Sequence, residues 1–345
     1  MTRYDMLAAF LVCATAGAQS LVNPLLPSGA DPWVTSRGGF YYYMHTTGNS
    51  LTIWKTRSMA ELAQAEKKVV WRPPATGPYA HDVWAPELHF LRGKWYIYFA
   101  ADAGTNASHR IWVLENDSAD PLAGEWRMKG KVADASDRWA IDATVLEEGG
   151  RLYLIWSGWQ GDVNGTQSLY IAELSDPWTV KSARVRISSP EFPWEKVGDL
   201  RPKRDPEENP GANQLDPLHV DVNEGPEILR HGNRIFLIYS ASGCWTDNYS
   251  MGMLTAEAGS DLLNPASWKK SPLPVFWQSP ANGAYAPGHG SFFQSPDGRE
   301  DWMLYHANAE AGQGCGSHRS PRAQRFTWKA DGTPDFGRPV GARER

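Results

Sequence analysis

One phrase recurs five times along the chain and restricts its fold more than any other feature: a glycine turn followed by a dense apolar run that closes on small or polar residues. It reads Gly39-FYYYMHT, Gly93-KWYIYFAA, Gly150-RLYLIWSG, Gly232-NRIFLIYSA and Gly298-REDWMLYHA. The runs are short, rich in tyrosine, tryptophan and isoleucine, and apolar on both alternating faces, the mark of strands covered on both sides. Each is followed by a second strand-like run: Leu51-TIWKT, Arg110-IWVLE, Ser168-LYIAEL, Met251-GMLTAE and Ala323-QRFTW. Turn clusters such as Asp120-Pro121, Asp176-Pro177 and Asn264-Pro265 come next. The turn glycines stand 54, 57, 82 and 66 residues apart, so loops vary in length while the strand core repeats. No sustained 3.6-residue pattern interrupts the series. The reading is an all-β fold, a five-bladed β-propeller in which each repeat covers the next and none folds alone. A β-sandwich, the alternative for such strands, does not call for five copies of one phrase.

The 345 residues suit one repeat architecture. A separate segment precedes it: Arg3, an apolar stretch from Met6 to Ala16, and the small-residue cleavage site Ala16-Gly17-Ala18. Residues 1–18 are therefore read as a signal peptide and residues 19–345 as a single propeller catalytic domain, secreted to the extracellular space as a monomer. No later apolar run is long enough to span a bilayer, so no membrane partner is expected. A formal net charge of −5 argues against a nucleic-acid partner, whose phosphates demand a basic surface. The 17 tryptophans mostly fill space between sheets, and the rest offer indole faces for stacking on sugar rings. Cys13 leaves with the signal, so Cys244 and Cys315 remain, either bridged, as an oxidising compartment favours, or as two buried thiols. Asn106, Asn116, Asn164 and Asn248 open N-x-S/T sequons. The proline-rich stretch from Ser188 to Val222 reads as a long surface loop ending just before Glu224.

In a propeller the innermost strand of each blade runs along the central axis, so one position per blade faces a shared funnel. Asp31, Asp142 and Glu224 each precede a repeat glycine by eight residues, and the same count lands on Ala85 in blade two and on Gly290, beside His289, in blade five. Three acids at one depth of one funnel repel each other and raise each other's pKa. Folding has no use for that arrangement. Glycoside hydrolysis has one: a protonated carboxyl to serve the leaving oxygen and an ionised carboxylate to activate water or attack carbon.

Taken in order, Ala30-Asp31-Pro32, Val83-Trp84-Ala85-Pro86-Glu87, Ile141-Asp142-Ala143, Asn223-Glu224-Gly225-Pro226 and Gly288-His289-Gly290 make the chain resemble glycoside hydrolase family 43 over nearly all of its length beyond the signal. The resemblance implies a five-bladed propeller that hydrolyses arabinan and xylan linkages with inversion. It implies that Asp31 is the general base, Glu224 the general acid, and Asp142 the acid that orients Glu224 and tunes its pKa. No cofactor is required on this reading, with a calcium ion the optional occupant of the axis near His289. Arg322 would contact sugar hydroxyls and Trp84 would wall the pocket, with His81, Trp159 and Trp245 as further candidates. Within the family the wording is similar to α-L-arabinofuranosidases that release terminal arabinose from plant cell-wall arabinan or arabinoxylan. An endo-1,5-α-L-arabinanase or β-xylosidase on the same frame stays open, as does a carbohydrate-binding propeller without turnover.

Overall fold

Each apolar run named above becomes the second strand of an antiparallel meander in the computed structural model, which describes residues 21–200 and 218–342. These second strands are Phe40–Thr46, Lys94–Asp102, Arg151–Trp159, Arg234–Ala241 and Asp301–Asn308. The innermost strands before them are Ala30–Arg37, His81–Leu91, Ala140–Glu148, Asp221–His231 and Tyr285–Gln294. Together with the third strands they give five blades, of which the third and fourth are joined into one sheet by a short parallel pairing of Thr166 with Asp221 and Gln167 with Val222. The expected signal peptide, residues 1–18, lies outside the described residues.

The apolar side chains sort into cores at the blade interfaces. Trp33, Met44 and Ile53 pack on Leu88 and Ile97 between blades one and two. Tyr98 and Val113 meet Leu154 and Tyr170 between two and three, and Ile155 and Ile171 meet Leu237 and Leu254 between three and four. Phe236 and Met251 meet Met303 and Tyr305 between four and five, and Val34 and Tyr43 meet Phe293 and Leu304 where blade five returns to blade one. Five interfaces for five blades close the ring. The segment ahead of blade one fastens it: Leu25 donates to the Pro321 carbonyl, while Asn23 pairs through its side chain with both backbone groups of Ala323. Among the described residues each core lies between two blades, so stability is a property of the closed ring.

Every innermost strand is interrupted at the same register. Ala30, Trp84, Ile141, Glu224 and Gly288 each pair regularly with the second strand, as do Trp33, Glu87, Thr144, Glu227 and Ser291 three residues later, yet the partner advances by only two. One extra residue per blade is a β-bulge, a device that re-aims side chains. Its first residue has positive φ in all five blades: Asp31 at 54°, Ala85 at 43°, Asp142 at 55°, Gly225 at 52° and His289 at 47°. For the four non-glycine residues that backbone costs about 1–3 kcal/mol each, strain of the kind that gathers at functional sites.

Candidate active site

The bulges aim side chains at a cavity of ≈ 390 Å³ over the axis, bounded by Asp31, Asp142, Glu224 and His289 and walled by Trp84, Trp139, Ile141 and Trp245. Asp31, Asp142 and Glu224 therefore meet in one pocket although they come from blades one, three and four. They are not equivalent by blade. The eight-residue count used for Glu224 starts one residue too early, because Gly232 opens its hairpin turn, with His231 pairing Arg234, whereas Gly39 and Gly150 close theirs. The true counterpart of Asp31 and Asp142 is Gly225, and Glu224 shares its level with Trp84 and Ile141. The acid thus stands a step above the two aspartates, on the regular strand just before its bulge.

Local contacts give each carboxyl a different charge. Burial pushes the Asp31 carboxyl up, but the Arg319 guanidinium at 3.1 Å, His289 and His306 beside it, and the Thr46 hydroxyl at 2.7 Å more than offset this and hold it well below the usual carboxylate range. His289 and His306 are themselves pushed down by burial, so Arg319 is the permanent cation of the group. Thr46 and His306 fix the aspartate at both ends: the Thr46 hydroxyl also accepts from the Ala85 N–H, and His306 Nδ1 accepts from the Asp31 N–H.

Glu224 has the opposite surroundings. Burial raises its carboxyl and Asp31 raises it further, while a 2.9 Å hydrogen bond from the Tyr249 hydroxyl and the charge of Arg319 pull the other way; the outcome is about 7. Asp142 is pushed well above the ordinary range by burial and by the charges of Glu224 and Asp31, against one 3.0 Å bond from the Gly225 N–H. Below neutrality the pocket thus holds one firmly ionised carboxylate and two carboxyls pushed toward their protonated forms. Such a split suits general acid–base chemistry.

The other expected residues divide. Trp84 faces the cavity and stacks on His109 at 4.1 Å, and Trp245 also lines it, with its indole N–H held by the Asp199 carbonyl. Trp159 does not: it is 3% exposed and stacks behind Trp139 at 4.7 Å, so Trp139 is the indole that meets the cavity. His81 is exposed at the start of its strand, away from the cavity lining. Arg322 needs correction as a sugar contact. It is 0% exposed, and its guanidinium is spent on the carbonyls of Gly283, Val340 and Asn308. Arg319, three residues earlier and outside the strand, is the arginine in the pocket.

Cys244 and Cys315 are joined, and the bridge lines the cavity, tying the loops that carry Trp245 and Arg319. The arms of the proline-rich loop also reach the site, with Leu200 and Val220 in the cavity wall; residues 201–217 at its centre lie outside the described residues. Glu195, buried in the first arm, accepts from the Asn223 side chain at 3.0 Å and the Tyr239 hydroxyl at 2.9 Å and pairs with Lys270 at 2.6 Å, which anchors the arm beside Glu224. The expected calcium finds no matching donor set. Such an ion takes about six to eight oxygens, whereas His289 turns a ring nitrogen toward Asp31 at 3.4 Å and Asp142 at 3.9 Å. Among the described residues no group of three or more His, Cys, Asp or Glu side chains could hold a metal ion.

Comparison with known proteins points the same way. The family profile "Glycosyl hydrolases family 43" matches residues 21–334. The chain is 39% identical, over 95% of its length and 66% of the relative's, to an extracellular exo-α-(1→5)-L-arabinofuranosidase of Streptomyces avermitilis. It is 38% identical, over 96% of its length and 67% of the relative's, to α-L-arabinofuranosidase 43 of Humicola insolens. It thus spans about two thirds of each of these relatives. Among solved structures, the α-L-arabinofuranosidase of Lactobacillus brevis superposes with a TM-score of 0.84 at 35% identity, covering 95% of this chain and 100% of that one.

Proposed function

We propose, from the premise that the chain belongs to glycosyl hydrolases family 43, that it is an extracellular exo-acting α-L-arabinofuranosidase that releases terminal arabinofuranosyl residues from arabinan or arabinoxylan by single displacement with inversion. Asp31 is the general base, Glu224 the general acid and Asp142 the residue that orients and tunes it. Trp84, Trp139 and Trp245 supply apolar faces for the sugar, and Arg319 keeps Asp31 ionised. Export is by the signal peptide at residues 1–18.

The observation that carries this reading is the split between two like groups: one carboxylate held ionised by a guanidinium, one carboxyl raised to about 7 in a pocket of small-sugar size. When the glycosidic bond breaks, Glu224 donates its proton to the departing oxygen. Asp31 takes a proton from a water, whose oxygen forms the new bond to the anomeric carbon from the opposite face. Room for that water requires the two carboxyls to stand about 6.5–9.5 Å apart. The ionised Asp31, which shares the pocket, makes loss of the Glu224 proton before the step unfavourable.

Product analysis on linear 1,5-linked arabino-oligosaccharides tests the exo reading. Arabinose alone is expected; a ladder of shorter oligomers would replace it with endo action, and no release at all with a binding module. Glu224→Gln tests the acid. Turnover of oligosaccharides should fall about 10²–10⁴-fold, with a much smaller loss on an aryl arabinofuranoside whose leaving group needs no proton. Equal losses on both substrates would remove Glu224 from that role.

A further inference from the structure

Two ionisable side chains that the proposed mechanism leaves unused lie behind one indole wall of the pocket. Asp102 ends the second strand of blade two, and His109 stands just before the third, Arg110–Asn116; both are 0% exposed. Between them runs one helical turn, Asn106–Ser108, closed by the Ser108 N–H and hydroxyl on the Thr105 carbonyl at 2.9 and 2.7 Å. The turn fixes the imidazole at both nitrogens. Nδ1 donates to the Asn106 carbonyl at 3.1 Å and lies 3.4 Å from the Asp102 carboxyl, while Nε2 lies 3.4 Å from the Asp82 carbonyl. Asp102 is held in turn by the Gly104 N–H at 2.8 Å. Apolar side chains of the same volume would serve folding as well or better.

What the imidazole touches is Trp84. The two rings stack with centroids 4.1 Å apart and planes 25° from parallel. His109 is fully buried whereas half-buried Trp84 lines the cavity, so the imidazole backs the indole face turned away from the pocket. The same Asn106 carbonyl accepts from Trp139 Nε1 at 2.9 Å, and Trp139 meets His109 edge-on at 6.4 Å. One turn of blade two thus sets both indoles, Trp84 through a ring and Trp139 through a hydrogen bond. The χ2 torsion of a tryptophan is broad. A fixed plane behind the ring therefore decides how squarely its free face meets a sugar.

We propose that His109 is a positioning residue for substrate: clamped by Asp102 and the Asn106 turn, it holds the Trp84 indole flat against the sugar that enters the pocket. This rests on Trp84 being a sugar wall. Being fully buried, His109 meets no sugar itself. Its loss therefore weakens sugar binding and leaves proton transfer alone.

The test is a double-mutant cycle on KM and kcat for 1,5-linked arabinobiose: wild type, His109→Ala, Trp84→Ala and the two together. His109→Ala should raise KM roughly 3–10-fold, the worth of one ring pair, with kcat within about twofold and both pH limbs of kcat/KM unmoved. In the Trp84→Ala background it should add less than about twofold, because the ring it supports is gone. Asp102→Asn/His109→Phe keeps a flat ring and removes the carboxyl that would lose its partner. That variant should bring KM back to within about twofold of the wild type. A KM unchanged by His109→Ala, a loss confined to kcat, full additivity with Trp84→Ala, or no recovery with phenylalanine each overturns the proposal. Should His109→Ala fail to fold, Asp102→Asn/His109→Leu takes its place. Leucine fills the space without a plane, so a higher KM than the phenylalanine variant supports the proposal and an equal KM overturns it. Failure of the parent reading looks different: Trp84→Ala itself would leave KM unchanged.

Discussion

On the blade-five side of the pocket Asp31 faces Arg319, His289 and His306; on the blade-four side Glu224 faces a tyrosine hydroxyl and two aspartates. Both carboxyls are buried, and desolvation alone would raise both. The largest difference is one guanidinium, 3.1 Å from Asp31 and donated by the loop that the Cys244–Cys315 bridge holds in place. The proposed base and acid are thus set apart by what the loops bring to the strands, while the strands themselves supply only carboxyls at the right height. The largest expected effect follows from removing that guanidinium. Arg319→Met should make the two sides alike: Asp31 rises toward the ordinary carboxylate range, the acidic limb of kcat/KM moves to higher pH, and turnover falls about 10²-fold. An unmoved acidic limb would mean that Arg319 does not control Asp31. Arg322→Met is the contrasting change. It should lower thermal stability by leaving three carbonyls without their donor while the limb stays in place.

The same asymmetry has a signature in stability. Asp31 has a folded pKa below its unfolded value, so its contribution is present above about pH 4 and fades as pH falls toward the folded value. Glu224 runs the other way. Its folded value of about 7 exceeds the unfolded 4.5, so its contribution is full below about pH 4.5 and is lost as pH rises through 7. A shift of that size corresponds to about 3 kcal/mol for an isolated group. Thermal unfolding of the wild type should therefore weaken between pH 4.5 and 7 relative to Glu224→Gln, whose side chain does not titrate. Parallel curves for the two proteins would show that Glu224 ionises as freely in the fold as outside it.

Strands and loops also differed in how far they could be read from the sequence. The blades were legible because their second strands are apolar on both faces and each follows a turn glycine, a pattern that survives loops of any length. Asp31 and Asp142 were legible for the same reason, since both sit eight residues before the closing glycine of a hairpin. Glu224 was found by a count that is off by one residue, rescued because the level above the bulge also faces the pocket. What sequence spacing could not carry was the loop geometry. Arg322 looked like the pocket arginine, but it lies inside the strand Ser320–Trp328 and is swallowed by the core, while Arg319 just ahead of that strand is free to turn toward Asp31. Trp139 was missed in favour of Trp159 because the two stack, and which face of a stack meets the cavity depends on blade packing. The five bulges had a trace in the sequence after all: Pro32, Pro86 and Pro226 each occupy the second bulge position, where no ladder donor is needed.

The finest adjustment on the Glu224 side is Tyr249. Its hydroxyl, itself pushed well above its ordinary range by burial and by the carboxyl charges around it, donates to Glu224 Oε1 and so favours the ionised acid. The ring is held parallel to His306 at 5.7 Å, which ties its position to the Asp31 side as well. Tyr249→Phe removes the donor with little change of shape, and a single such bond is worth about 0.5–1.5 kcal/mol. The alkaline limb should move to higher pH by roughly one unit or less, with less than about a tenfold change in kcat. A Tyr249→Phe limb that moved to lower pH would mean that the hydroxyl serves the protonated form, and the account of how Glu224 is poised would have to be rebuilt from the tyrosine outward.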